Sequence, residues 1–160
     1  MAGKKTIVLL AALAMLLSAG GASAAGTGAA EYKEQVEPIC KKDTKANEKI
    51  LKGVRANVKK GKLKRASRQL SSAAKALKHA YAQLSRVPKP AEDAARLTRW
   101  LKGVKAEAGL FEAASRKLAK GAKNAAQKMI VRLQSNATKT NNQVLDYEFR
   151  YCRLQPNKFI

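Results

Sequence analysis

Two cysteines, one histidine and two knots of lysine and arginine are the residues of this 160-residue chain whose types and spacing could do chemistry beyond packing. Cys40 and Cys152 are an even pair, and in an oxidising compartment a disulfide between them is expected over two independent thiols. A zinc site would need more ligands, because His79 is the sole histidine. His79 is also the only conventional general base. It stands two residues from Tyr81, outside the neighbouring Leu/Ala stripe, and reads as a solvated helix residue with no nucleophile beside it. The 11 acidic residues are scattered without a pair spaced for acid-base work, and neither a phosphate-cradling glycine loop nor a metal-ligand series is present. The expectation is a non-enzyme with no cofactor and no metal.

The basic knots carry the stronger signal. Lys59, Lys60, Lys62, Lys64, Arg65 and Arg68 surround Gly61, while Arg116, Lys117, Lys120 and Lys123 surround Gly121, with no acid inside either cluster. Many of the acids fall elsewhere, at Glu31, Glu34, Glu37, Glu92, Asp93, Asp146 and Glu148. Cations at helix C-termini and acids at N-termini suit the helix dipole, but that preference does not require so many of them. The formal net charge of +22 favours polyanionic partners. The ten side chains are therefore read as one anion-docking tip, for an anionic envelope polymer or lipid headgroups. Nucleic acid is not an expected partner of an exported chain. The aromatics that could stack bases (Tyr32, Tyr81, Trp100, Tyr147, Phe149, Tyr151) lie away from the densest cations and read as core.

Export is inferred from residues 1–24. Lys4 and Lys5 make a basic start, Ile7 to Leu17 is an uncharged apolar run, and Ala22-Ser23-Ala24 supplies a cleavage site. The apolar run is short of the roughly 20 residues that span a bilayer, so no anchor is expected after cleavage. The protein is thus expected outside the cytoplasm, with residues 25–160 as one domain.

Helical periodicity must position these groups. One stripe runs Leu63, Ala66, Leu70, Ala73, Leu77, Ala80, Leu84, Val87 and stops at Pro88-Lys89-Pro90. Another, Leu97, Leu101, Val104, Ala108, Phe111, Ser115, Leu118, follows an acidic first turn at Glu92-Asp93 and ends at Lys120-Gly121. The last, Ala125, Met129, Leu133, Ala137, Thr140, Val144, Tyr147, Tyr151, is polar in the middle, so 135–142 should be its weakest part. The first, Tyr32, Val36, Ile39, Asp43, Ala46, Ile50, Val54, Val58, closes at Lys60-Gly61, with Pro38 either opening or kinking it. Short connections predict an all-α, antiparallel up-down-up-down four-helix bundle with one disulfide. In it the cysteines share one end but sit about 9 Å out of register along the helix axes, an offset that tilt, Pro38 or fraying near Cys152 would have to absorb. Asn136-Ala137-Thr138 matches a glycosylation acceptor, though inside a helix.

The run Tyr32, Val36, Ile39-Cys40, the glycine-centred turn, Pro88 to Pro90 with Glu92, Asp93 and Trp100, and the closing Tyr151-Cys152 resemble exported two-cysteine helical proteins of unknown function from high-GC Gram-positive bacteria. That resemblance implies export, helices and the bridge, and no activity. The functional expectation is a non-catalytic binding or structural module docking to an anionic envelope component. Its alternatives are an adaptor for an unknown protein partner and a small-ligand carrier using the aromatic end.

Overall fold

The computed structural model describes residues 28–159, so the expected export signal at 1–24 lies outside the described residues. Those residues form a helical bundle with no strand among them: α1 (Ala29–Leu51), α2 (Val54–Lys59), α3 (Leu63–Leu84), α4 (Ala94–Ala119) and α5 (Lys123–Asn141). A three-residue 3-10 turn at Ala91–Asp93 leads into α4, and 3-10 turns at Asn142–Tyr147 and Pro156–Lys158 follow α5. No described helix is long and apolar enough to cross a membrane.

The two middle stripes fold as their spacing requires, except that the first ends its helix at Leu84, leaving Val87 beyond it, and its end residues Leu63 and Val87 are only half-buried. Ala66, Leu70, Ala73, Leu77, Ala80 and Leu84 of α3 are buried, as are all seven stripe residues of α4 from Leu97 to Leu118. Both Lys-Gly stops close by the same device. Gly61 and Gly121 take φ of 71° and 73°, where a Cβ would be strained, and the following amides reach back to the last turn. Lys62 N bonds Asn57 O at 2.8 Å, and Ala122 N bonds Lys117 O at 3.0 Å.

The outer stripes depart from expectation. The first does not reach Val58 as one helix: Gly53, at φ 75°, ends α1 and starts the short α2. Pro38 lies inside α1, so residues 29–37 are not a separate turn. The segment 135–141 is helical despite its polarity, but α5 ends at Asn141 and the helix does not continue to Tyr151. Val144, at φ −136° and ψ 29°, breaks the 3-10 turn, and Glu148 turns left-handed at φ 49°. Val144 and Tyr147 are still buried, because their side chains plug the core from an irregular backbone.

That unwinding resolves the cysteine register. Cys152 sits on non-helical chain, which advances farther per residue than a helix does, and it reaches Cys40 to form the disulfide with a Cα–Cα distance of 5.0 Å. The main packing runs α1 on α3, α3 on α4 and α4 on α5; no comparable interface joins α1 to α5. The segment 142–159 touches α1, α4 and α5 instead, closing one part of the space that α1 and α5 leave between them.

Candidate functional site

All ten cations of the predicted tip are exposed. Gly61, Lys62, Lys64, Arg65 and Arg68 line one shallow depression together with Leu118, Ala119 and Gly121, so the two sequence-distant turns border a common surface. The ion pairs among the described residues, Lys78–Glu112, Arg96–Asp93 and Arg96–Asp146, include none of the ten. Arg116 marks the edge of the cluster, since its charge helps hold the Glu112 carboxyl below its ordinary pKa, after the larger effect of the Lys78 hydrogen bond. Beside the depression, a crevice between α2 and α5 has Lys59 and Lys123 at its rim and Val58 and Ile130 in its wall. The hydroxyls of Ser67 and Ser115 clasp α3 to α4 close by: Ser67 Oγ donates to Ser115 O at 2.9 Å and Ser115 Oγ to Ser67 O at 2.8 Å. The tip thus has a fixed base beneath unpaired cationic ends.

The aromatic cluster is packed as core. Trp100 and Tyr32 have no exposed surface, Trp100 stacks on Phe149 with centroids 5.5 Å apart, and Tyr147 lies 5.1 Å from Phe149. Tyr147 Oη donates to Asp93 Oδ2 at 2.6 Å, and Arg96 spans Asp93 and Asp146 at 2.7 and 2.6 Å. The Tyr147 bond, with smaller help from Arg96, keeps Asp93 below the ordinary carboxylate range. Burial first, then the Asp93 carboxylate, pushes Tyr147 up. Burial alone pushes Tyr32 up to about 12. Tyr81 and Tyr151 are half-buried, and His79 is exposed.

A feature outside the predicted tip lies beneath the disulfide, beside Trp100 at the aromatic end where the ligand-carrier alternative would need it. A half-open cavity of about 260 Å³ is lined by α1, α3, α4 and the segment 150–159. Asp43 and Asn47, one turn apart on α1, share its wall with Trp100 and Glu107 of α4. Asn47 Nδ2 donates to Asp43 Oδ2 at 3.0 Å, and Asn136 Nδ2 of α5 donates to Glu107 Oε2 at 2.7 Å and to Gly103 O at 3.0 Å. Desolvation raises Asp43 to about 6 and Glu107 to about 7, each opposed by its asparagine bond. The sequence carried a readable signal for both acids. Asp43 occupies a stripe position between Ile39 and Ala46, and Glu107 follows Val104 by three on the same buried face. Asn136 answers Glu107 across 29 residues of sequence, a partnership that no local pattern announces. Its amide nitrogen is engaged in those two bonds, which argues against the glycosylation reading.

Among the described residues no group of three or more His, Cys, Asp or Glu side chains is arranged to hold a metal ion. Comparisons with protein-family models, curated proteins and solved structures gave no match to this chain.

Proposed function

We propose that this chain is an exported, non-catalytic binding module that docks to an anionic component of the cell envelope, a polymer or lipid headgroups, through the cationic surface at its two glycine turns. The observation that carries this reading is the single depression bordered by both turns, with Lys62, Lys64, Arg65 and Arg68 exposed around it. Like charges held together repel one another, so a cluster without ion-paired acids is costly unless an external anion offsets it. The helix order is read as up-down-up-down. In support, Ser67 at the start of α3 meets Ser115 at the end of α4, and Glu107 and Arg99 of α4 meet Asn136 and Gln143 in reversed order. An extracytoplasmic location is supported by residues 1–24 and by the Cys40–Cys152 bridge, which belongs to oxidising compartments.

The test is a pair of charge-reversed proteins. In the first, Lys60, Lys62, Arg65, Lys117 and Lys120 become Glu; in the second, the exposed Lys42, Lys45, Lys49, Arg132 and Lys139 do. The net charge change is equal. Binding to an immobilised polyphosphate and to vesicles of anionic lipid should fall at least tenfold more in the first protein, and wild-type binding should weaken steeply from low to high salt as exposed charges are screened. Equal losses in the two proteins would reduce the tip to bulk electrostatics and end the proposal.

A further inference from the structure

The cavity beneath the disulfide holds polar atoms that the protein itself does not satisfy. Asp43 Oδ1, Asn47 Oδ1 and Trp100 Nε1 are buried without a hydrogen-bond partner, and all three residues are in its wall. Trp100 has no exposed surface and Glu107 is 1% exposed. Buried polar groups are nearly always paired, so orphans around one cavity call for a partner from outside the chain. Two of the orphans, Asp43 Oδ1 and Asn47 Oδ1, are acceptors one turn apart on α1, and a second carboxylate stands in the α4 wall. The third, the Trp100 Nε1–H, is a donor that an ammonium cannot satisfy and for which the face of an aryl body is the available acceptor. A primary ammonium has three donors, no acceptor and the charge that would neutralise the carboxylates. Leu77, Leu84, Val104 and Phe111 give the wall an apolar part that suits a hydrocarbon or aryl body. The segment 150–159 also brings Arg150, Arg153 and Lys158 to the cavity, but these are exposed, as is Glu48. Water screens charges at the rim, whereas those in the interior act through a lower dielectric and decide the sign of the ligand.

The geometry points to a binding site for a small primary amine with an apolar body, its ammonium held by Asp43 and Asn47 with Glu107 across the cavity and its body against Trp100. This site is separate from the cationic tip and stands or falls without it.

Trp100 is the chain's only tryptophan, so its emission reports on the cavity directly. The purified protein, disulfide intact, is titrated with 2-phenylethylamine, with uncharged 2-phenylethanol and with anionic 3-phenylpropanoate. The amine should give a saturable change in Trp100 emission with an affinity at least tenfold above that of the alcohol, and the carboxylate should give none. Asp43→Asn should bring the amine down to the level of the alcohol, with fold and disulfide checked by circular dichroism and thiol titration. The tip-reversed protein should bind the amine no more weakly than wild type does. Equal binding of amine and alcohol would show an apolar hole with no ammonium site. Absence of any saturable change in the wild type would mean that the cavity holds only water. Either outcome overturns the proposal, even if Asp43→Asn fails to fold.

Discussion

At the aromatic end Asp93 holds Arg96 and Tyr147 at once, Glu37 accepts from the backbone of Arg150 and Tyr151, and the Asn141 side chain bonds Leu154 in both directions at 2.9 Å. At the turn end the glycine turns close on backbone bonds, with the neutral side-chain ties Asn57–Gln69 and Ser67–Ser115 beneath them, and ten cations reach solvent with no ion pair among the described residues. One end spends its polar groups internally and the other leaves them for something outside. A helical bundle without an α1–α5 interface comparable to its others needs its closure somewhere, and here the terminal segment supplies it at one end only. Stability and recognition are therefore expected to respond to substitutions at different ends.

The largest expected effect is at the closed end. Replacing Cys40 and Cys152 together by Ser releases a cross-link between residues 112 apart, which the chain-entropy model values at about 5 kcal/mol. Urea denaturation should show that loss, while the five-site tip reversal should change stability by less than about 1 kcal/mol. A comparable loss from both would erase the distinction between the ends.

The next concerns Glu107. Its ordinary pKa of 4.5 is raised to about 7 by burial, so the folded state binds its proton more tightly than the unfolded state does. The stability this provides is complete below about pH 4.5 and is lost as pH rises through 7. Glu107→Gln, which keeps an acceptor for Asn136, should be more stable than wild type by on the order of 3 kcal/mol at pH 8.5 and within about 1 kcal/mol of it at pH 5. Asp43, raised to about 6, adds a smaller loss in the same direction between about pH 4 and 6, and this remains in the variant. Parallel pH profiles for the two proteins would show that the Glu107 carboxyl is not desolvated.

The smallest contrast is between glycines. A Cβ on Gly103 would lie 2.0 Å from Thr140 Oγ1 and 2.8 Å from Thr140 Cβ, too close for a rotamer change to relieve, so Gly103→Ala should cost about 1 to 3 kcal/mol by forcing α4 from α5. A Cβ on Gly121 meets nothing within 4 Å, and Gly121→Ala should cost only the left-handed backbone preference, about 1 kcal/mol. Thermal unfolding of the two variants ranks them. A larger loss at Gly121 would mean that the turn is a packed element and not an open cap.

How far the sequence could be read follows the same division. The α3 and α4 stripes were legible because Leu and Ala at steps of three and four leave one face apolar and no competing interaction intervenes. The glycine turns were legible because Lys-Gly at a stripe's end has a specific backbone meaning. Gly53 carries the same meaning, yet the apolar positions on either side, Ile50 and Val54, keep helical spacing across it and hide the break. The region after Asn141 was misread for a related reason. Thr140, Val144 and Tyr147 are spaced as on a helix and are all buried, but packing of Tyr147 and Phe149 around Trp100 and the tie to Cys40 set their backbone. The acids of the cavity were visible as charges on apolar faces; their relation to each other required the fold.

The terminal segment also sets the tempo of folding. The pairs that join α3 to α4 and α4 to α5 close loops of modest length, 48 residues for Ser67 with Ser115 and 29 for Glu107 with Asn136, and helical hairpins of this kind condense quickly. The contacts of Glu37 with Tyr151 and of Cys40 with Cys152 bridge 114 and 112 residues. Closing so long a loop costs entropy before any contact repays it, so α3 and α4 should form a nucleus that waits for both flanks to arrive. The cavity beneath the bridge would then be the last region to exist, completed only when the segment after α5 has docked across α1.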